Sequence, residues 1–441
     1  MAHPYQVFRA STIREDLRLT NILIAEDALP LEGDADSGES ITDDLQDWSA
    51  VRAQFDLARD YIHLGAFYLS SHPRPVRDAI DRHRRALDDN PFLYVANRLF
   101  EMPVEIRRVA ADYLGGTADE VALTDSTTTG LALVYHGLPL KAGQEILTTT
   151  QEHYSHLESI RFAAERAGAS VKKISLFDNL ETIDEDEIVE RIRTAITRNT
   201  RIVGITWVYS STGLKTPVRR IAAAVAEANA RRDESERVLL VVDGVHGLGV
   251  EDAAVAQLGC DFFVAGTHKW MFGPRGTGIV WGKAGNWELM RPTIPTFELA
   301  PFQAWLSGDA PLPTRAPYLT PGGFHSFEHL WALPAAFEFH KWIGRARIAE
   351  RTHSLNEQCK EGMARLSHVK LHTPRERNLS AGIICFDVAG RTPEEVAARL
   401  FERRIICSVT PYGNSSARVS PSLLNSPEEI EALLCELRAL A

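Results

Sequence analysis

No stretch of this 441-residue chain approaches the roughly 20 consecutive apolar residues that span a bilayer. The N-terminus also lacks the basic-then-apolar layout of a secretory signal, so a soluble, cytoplasmic protein with no membrane partner is expected. Cysteine is scarce. The five, Cys260, Cys359, Cys385, Cys407 and Cys435, are odd in number, scattered and mostly flanked by apolar residues, which suits buried free thiols better than disulfides. No metal-ligand spacing and no internal repeat is present, so no metal is expected. Positive charge is short as well: 48 Lys and Arg face 59 Asp and Glu, for a net charge of -11. Nucleic-acid binding calls for a basic stripe, and no nucleic-acid partner is expected.

What the chain does have is apolar content, 44% over 441 residues, enough for large cores divided into two or more domains. Its most informative stretch is residues 238–278. A β-branched apolar run stops at Asp243, a short helical segment crosses over, and a second strand, 261–266, delivers Thr267, His268 and Lys269. This is a βαβ pattern. The carboxyl ends of strands in an open parallel sheet face the ligand crevice, so Asp243 and Lys269 are predicted to converge. An amine and a carboxylate at neighbouring strand ends match the needs of pyridoxal 5'-phosphate: a lysine to hold the aldehyde as a Schiff base, and an acid to keep the ring nitrogen protonated.

Two other strand ends carry polar clusters. The strand 121–124 runs into Asp125, Ser126, Thr127, Thr128 and Thr129 before a helix; free N–H groups and hydroxyls there form either an anion site or an ordinary N-cap. The strand 145–150 ends at Glu152, His153 and His156, ahead of a helix over 157–167.

The combination resembles the class V aminotransferase group of fold-type I pyridoxal phosphate enzymes, which includes cysteine desulfurases and isopenicillin N epimerases. The residues that carry the resemblance are Asp243, Gly244, Val245 and His246; Gly266, Thr267, His268, Lys269 and Trp270; then Gly273, Pro274, Gly276, Thr277 and Gly278. It extends in patches over residues 60–435.

The resemblance implies an α/β fold with a large, mostly parallel seven-stranded sheet flanked by helices and a smaller α+β C-terminal domain. Expected divisions are an N-terminal extension (1–47), a segment contributing to the substrate pocket (48–90), the cofactor-binding domain (91–320), and an interdomain helix with the small domain (321–441). It implies Lys269 and His153 as catalytic residues, His153 stacking on the cofactor ring with His156 behind it. Thr127 and Thr128 go to the phosphate, and Thr267 and His268 to the cofactor segment. Many relatives place an Asn in the loop 209–213; serines stand here, so the donor to the ring oxygen passes to His246. Gly323 is expected to reach a partner's site in a homodimer, beside Phe324, which replaces a threonine. Arg418, with its planar fork, is expected to grip a substrate carboxylate, with Ala66, Phe67 and Tyr412 around the substrate.

Cys407 falls where desulfurases carry a catalytic cysteine, but their Gly-His-Cys loop is absent. The expected activity is therefore β-elimination from a cysteine S-conjugate, in the secondary metabolism of antibiotic biosynthesis. Oxygen-dependent oxidative decarboxylation with deamination, epimerisation, transamination and a non-catalytic binding role are the alternatives.

Local patterns predict further elements: helices over 76–88, 104–113 and 330–347, a loop excursion over 284–320, and a strand over 405–409. Helix starts are marked by capping boxes at Thr392 with Glu395 and Ser426 with Glu429.

Overall fold

The computed structural model describes residues 47–441; the expected N-terminal extension, except Asp47, lies outside them. Seven strands build the main sheet: β2 (Val121–Thr124), β3 (Glu145–Thr149), β4 (Ser170–Ile174), β5 (Thr200–Thr206), β6 (Leu239–Asp243), β7 (Phe262–Gly266) and β8 (Gly278–Gly282), preceded in the chain by the short β1 (Ile62–His63). Their order is β2-β8-β7-β6-β5-β3-β4, and β8 alone runs antiparallel to its neighbours. Side chains alternate faces along a strand, so the continuous apolar runs of β6 and β7 feed two cores. Leu240, Val242, Phe263 and Ala265 face one. Leu239, Val241, Phe262 and Val264 face the other. That burial on both faces is why these strands read as unbroken apolar runs rather than alternating ones.

Two glycines set how closely helices approach this sheet. A Cβ on Gly130, in the helix Thr127–Gly137, would lie 2.5 Å from Val264. One on Gly204 in β5 would lie 2.1 Å from the Tyr135 hydroxyl.

The C-terminal part forms a four-stranded antiparallel sheet, in the order β12-β13-β10-β9, from β9 (Val369–Leu371), β10 (Ile384–Val388), β12 (Ser408–Val409) and β13 (Ala417–Val419). It has its own core, including Phe386, Val396, Leu400, Ile430 and Leu433. Both capping boxes form, on the helices Pro393–Glu402 and Pro427–Arg438. The run 405–409 divides at Cys407: β11 (Ile405–Ile406) leaves to pair in parallel with β1, while β12 joins β13. That split brings the segment after β1, with Phe67, up against Arg418 of β13.

Two other expectations are corrected. Residues 330–347 are not one helix: Phe327–Trp331, Leu333–Ile343 and Arg345–Ala364 succeed one another. Pro334 lies in the first turn of the second, and Gly344, at φ 94°, separates it from the third. A left-handed φ there breaks helical geometry. Residues 284–320 are not all loop, since Leu299–Ser307 is helical and exposes Phe302 and Trp305.

Candidate active site

The carboxyl ends of β2, β3, β5, β6 and β7 surround one cleft of about 840 Å3 of empty space, open solvent at its mouth included. Ser126, Thr127, Thr128, His153, Ser210, Asp243, His246, His268 and Lys269 line it from the main sheet; Phe67, Tyr412 and Arg418 close it from the other side.

Asp243 is buried at the end of β6. Its Oδ1 accepts a hydrogen bond from the Val245 N–H at 3.1 Å, and its Oδ2 makes none with the described residues. Burial raises its pKa, against the opposing charges of His156 and Lys269. Lys269 is held down to about 8, chiefly by burial, with Arg418 adding and Asp243 opposing. Its Nζ lies 3.4 Å from His246 Nε2. On the other side of that ring the Trp270 Nε1–H donates to Nδ1 at 3.2 Å. Burial and the charge of Lys269 keep His246 well below its ordinary value, hence neutral. With Nδ1 accepting, the proton of the neutral ring sits on Nε2 and points into the cleft.

His153 caps the helix Tyr154–Ala167: its Nδ1 accepts from the Ser155 N–H at 3.3 Å. The helix start thereby orients the ring, which also meets Tyr412 edge-on at 6.3 Å. Burial lowers its pKa, so this ring too is neutral near pH 7. At the start of Thr127–Gly137, Ser126 Oγ accepts from the Thr129 N–H at 3.1 Å. Thr127 Oγ1 accepts from the Gly266 N–H at 2.8 Å. The Thr128 hydroxyl makes no hydrogen bond with the described residues, and the first N–H groups of a helix have no intrahelical partner.

Arg418 is buried, and no carboxylate pairs with it among the described residues. Its Nη1 donates to the Ser210 carbonyl at 2.9 Å and its Nε and Nη2 to Ser408 Oγ at 3.3 Å, while the guanidinium lies 4.0 Å from the Phe67 ring centroid. A buried cation without a counter-charge is costly, and an incoming carboxylate relieves that cost. Arg418→Lys keeps the charge but loses the fork; we expect KM for the amino acid to rise about tenfold or more with a smaller change in kcat, checked by steady-state kinetics.

Three expected residues stand apart from this cleft. Thr267 is corrected: its hydroxyl is fully buried, 2.5 Å from Thr277 Oγ1, where it fastens the turn behind Lys269. Ala66 is packed in the core beside a neighbouring cavity, and Gly323, at φ 120°, borders a third one with Phe297 and His325. Sequence reasoning passed over Glu152. Its side chain is fully buried below the cleft and bonded to His156, Thr149, Thr206 and Tyr209. The i, i+4 spacing of Glu152 and His156 was its only local sign.

The cleft fits pyridoxal 5'-phosphate on its donor set: an unpaired amine, an acid with one free oxygen, a neutral N–H donor at His246, and hydroxyls with free N–H groups at a helix start. The model for "Aminotransferase class-V" matches residues 85–433, and the chain belongs to that family, whose members use pyridoxal phosphate. Among curated relatives, a "Probable cysteine desulfurase" of Pyrococcus abyssi is 26% identical over 414 residues, 88% of this chain and 96% of its own. An "Isopenicillin N epimerase" of Amycolatopsis lactamdurans is 27% identical over 408 residues, 89% and 98%. The cystine C-S lyase C-DES, solved in complex with its reaction product cysteine persulfide, shares the fold, with a TM-score of 0.76 at 21% identity over 86% of this chain and 98% of that one. The protein is thus a pyridoxal phosphate enzyme of α/β fold acting on amino acids, and among the described residues no helix is long and apolar enough to cross a membrane.

Proposed function

We propose that the protein is a C–S lyase that converts an S-substituted L-cysteine into a thiol, pyruvate and ammonia. One observation carries this: a buried amine held near pKa 8 and an unpaired arginine share one cleft, while burial pushes the thiol of Cys407, in the adjoining chamber, up to about 12. Desulfuration by a cysteine nucleophile needs a thiolate, and that arrangement withholds it.

Pyridoxal phosphate, when bound, supplies the electron sink that lets a bond at Cα break. The residues of the chain do the rest. Arg418 binds the substrate carboxylate and so decides which Cα bond faces the base. Lys269 would hold the cofactor through Nζ, and the same amine, when free and neutral, would take the Cα proton. Asp243, with its free Oδ2, holds a proton-bearing cation opposite. His246 would offer its Nε2–H to the cofactor beside Lys269, and His153 would lie against it from the helix start. Thr127, Thr128 and His268 border the phosphate end. The working unit in this reading is a homodimer, with Gly323 and the exposed Phe324 facing the partner; one species of twice the chain mass in light scattering is the expected result.

The test follows purified enzyme with S-benzyl-L-cysteine, measuring pyruvate, ammonia, oxygen uptake and the configuration of recovered substrate. Equal pyruvate and ammonia without oxygen loss supports elimination. The 27% identity to an isopenicillin N epimerase favours inversion at Cα as a second reading; its mark is racemised substrate without pyruvate.

Because the Lys269 amine is neutral only above about 8, compared with 10.5 for an ordinary lysine, the rate at which apoprotein takes up pyridoxal phosphate covalently should rise through pH 8 and level off. A rate still climbing at pH 10 contradicts that.

A further inference from the structure

A second cavity, of about 950 Å3 including its open mouth, lies behind Phe67. It shares Phe67, Tyr68, Pro411 and Arg418 with the cleft, so the two are chambers of one site divided by the stacked Phe67–Arg418 pair. None of the residues assigned to the cofactor lines it. No acid lines it either, and Arg418 is the only lysine or arginine on its described walls, which are largely apolar: Ala66, Leu69, Ile406, Val409 and Pro411. We propose that this chamber receives the part of the substrate beyond Cβ and selects amino acids whose sulfur carries a bulky, mainly apolar substituent. The inference rests on the reading of Arg418 as the carboxylate holder.

The physical argument is one of position. Arg418 is fixed at the doorway, with Nη1 tied to the Ser210 carbonyl, in the cleft, and Nε and Nη2 tied to Ser408, in the second chamber. A carboxylate held there places Cα at the boundary. The cofactor and Lys269 occupy one direction from that point; the open, weakly polar volume lies in the other. Space lined by apolar groups favours apolar occupants, because removing their surface from water is the gain. The chamber walls are also built by residues far apart in the chain, the segment after β1 and the β11–β12 turn, which the parallel β1–β11 pairing holds together.

Cys407→Phe fills this chamber, and Leu69→Trp narrows its mouth from a half-exposed position. Each is loaded with pyridoxal phosphate and titrated with S-benzyl-L-cysteine and S-methyl-L-cysteine, reading the concentration that half-saturates the change in cofactor absorbance. The expected result is that at least one variant weakens the benzyl compound about tenfold or more relative to the methyl compound, in keeping with what an apolar pocket discriminates. An unchanged ratio in both folded variants overturns the proposal, and is the outcome if a second copy of the chain fills the chamber instead. Product analysis is read separately. Selective binding without pyruvate rejects the lyase reading and leaves the chamber assignment standing.

Discussion

Replacing Lys269 with alanine is expected to end covalent capture of the cofactor and to lower kcat at least about 10²–10⁴-fold, the usual contribution of a positioned general acid–base group. The buried position makes the case. Lys269 is held at about 8 mainly by burial, so about a tenth of its amines is neutral at pH 7 and most are above pH 8, where a solvated lysine at 10.5 is almost wholly charged. His246 Nε2 is 3.4 Å away, and no carboxylate forms an ion pair with Nζ among the described residues. Borohydride reduction followed by mass spectrometry separates the outcomes: wild type gains the mass of the cofactor on the peptide containing residue 269, and Lys269→Ala gains none. Retention of that mass on the variant would falsify the assignment. Small primary amines added to the variant should restore part of the activity, since Asp243, Arg418 and His246 still form the rest of the cleft.

The second large effect concerns stability. Glu152 accepts four hydrogen bonds in a dry setting: from His156 Nδ1 at 2.7 Å, Thr149 Oγ1 at 2.8 Å, Tyr209 Oη at 2.8 Å and Thr206 Oγ1 at 2.5 Å. His156 extends the chain of bonds to Tyr135 Oη at 2.7 Å. Glu152→Ala leaves these donors without an acceptor where water does not reach, and breaking a buried pair in that way costs about 3–5 kcal/mol. Urea unfolding should show a loss of that size, and Glu152→Gln a smaller one, because the amide keeps the shape and part of the bonding.

A pH signature accompanies it. Burial alone pulls His156 down, but the charge and hydrogen bond of Glu152, with Asp243, lift it above its ordinary 6.5. A group raised in the folded state binds more protons there than when unfolded. Its stabilisation is therefore fully present below about 6.5 and fades as pH rises through the raised value. Glu152→Gln should flatten that slope, and an unaltered slope would assign the pH dependence to another group.

The same network explains why part of the site was legible and part was not. Asp243 and Lys269 could be found from sequence because both end apolar strands that follow one another in the chain, and neighbouring parallel strands put their carboxyl ends together. The helix starts at Ser126, Thr392 and Ser426 were legible for a similar reason, since a cap is decided within four residues. Arg418 and His153 were found only by resemblance to a family motif. Thr267 sits beside His268, which lines the cleft, yet the turn through Thr277 rotates its hydroxyl away from it.

Chain order and apolar patterning thus determined β2, β3, β6 and β7 and the pairing of an acid with an amine, because these depend on residues near in sequence. Only the tertiary structure decided that Phe67 stacks on Arg418, that β11 leaves β12 to pair with β1, and that Glu152 gathers donors from three segments. Those contacts join residues up to 351 positions apart, from 67 to 418, and a hydrogen bond or ring contact across such a distance leaves no periodic trace in the chain.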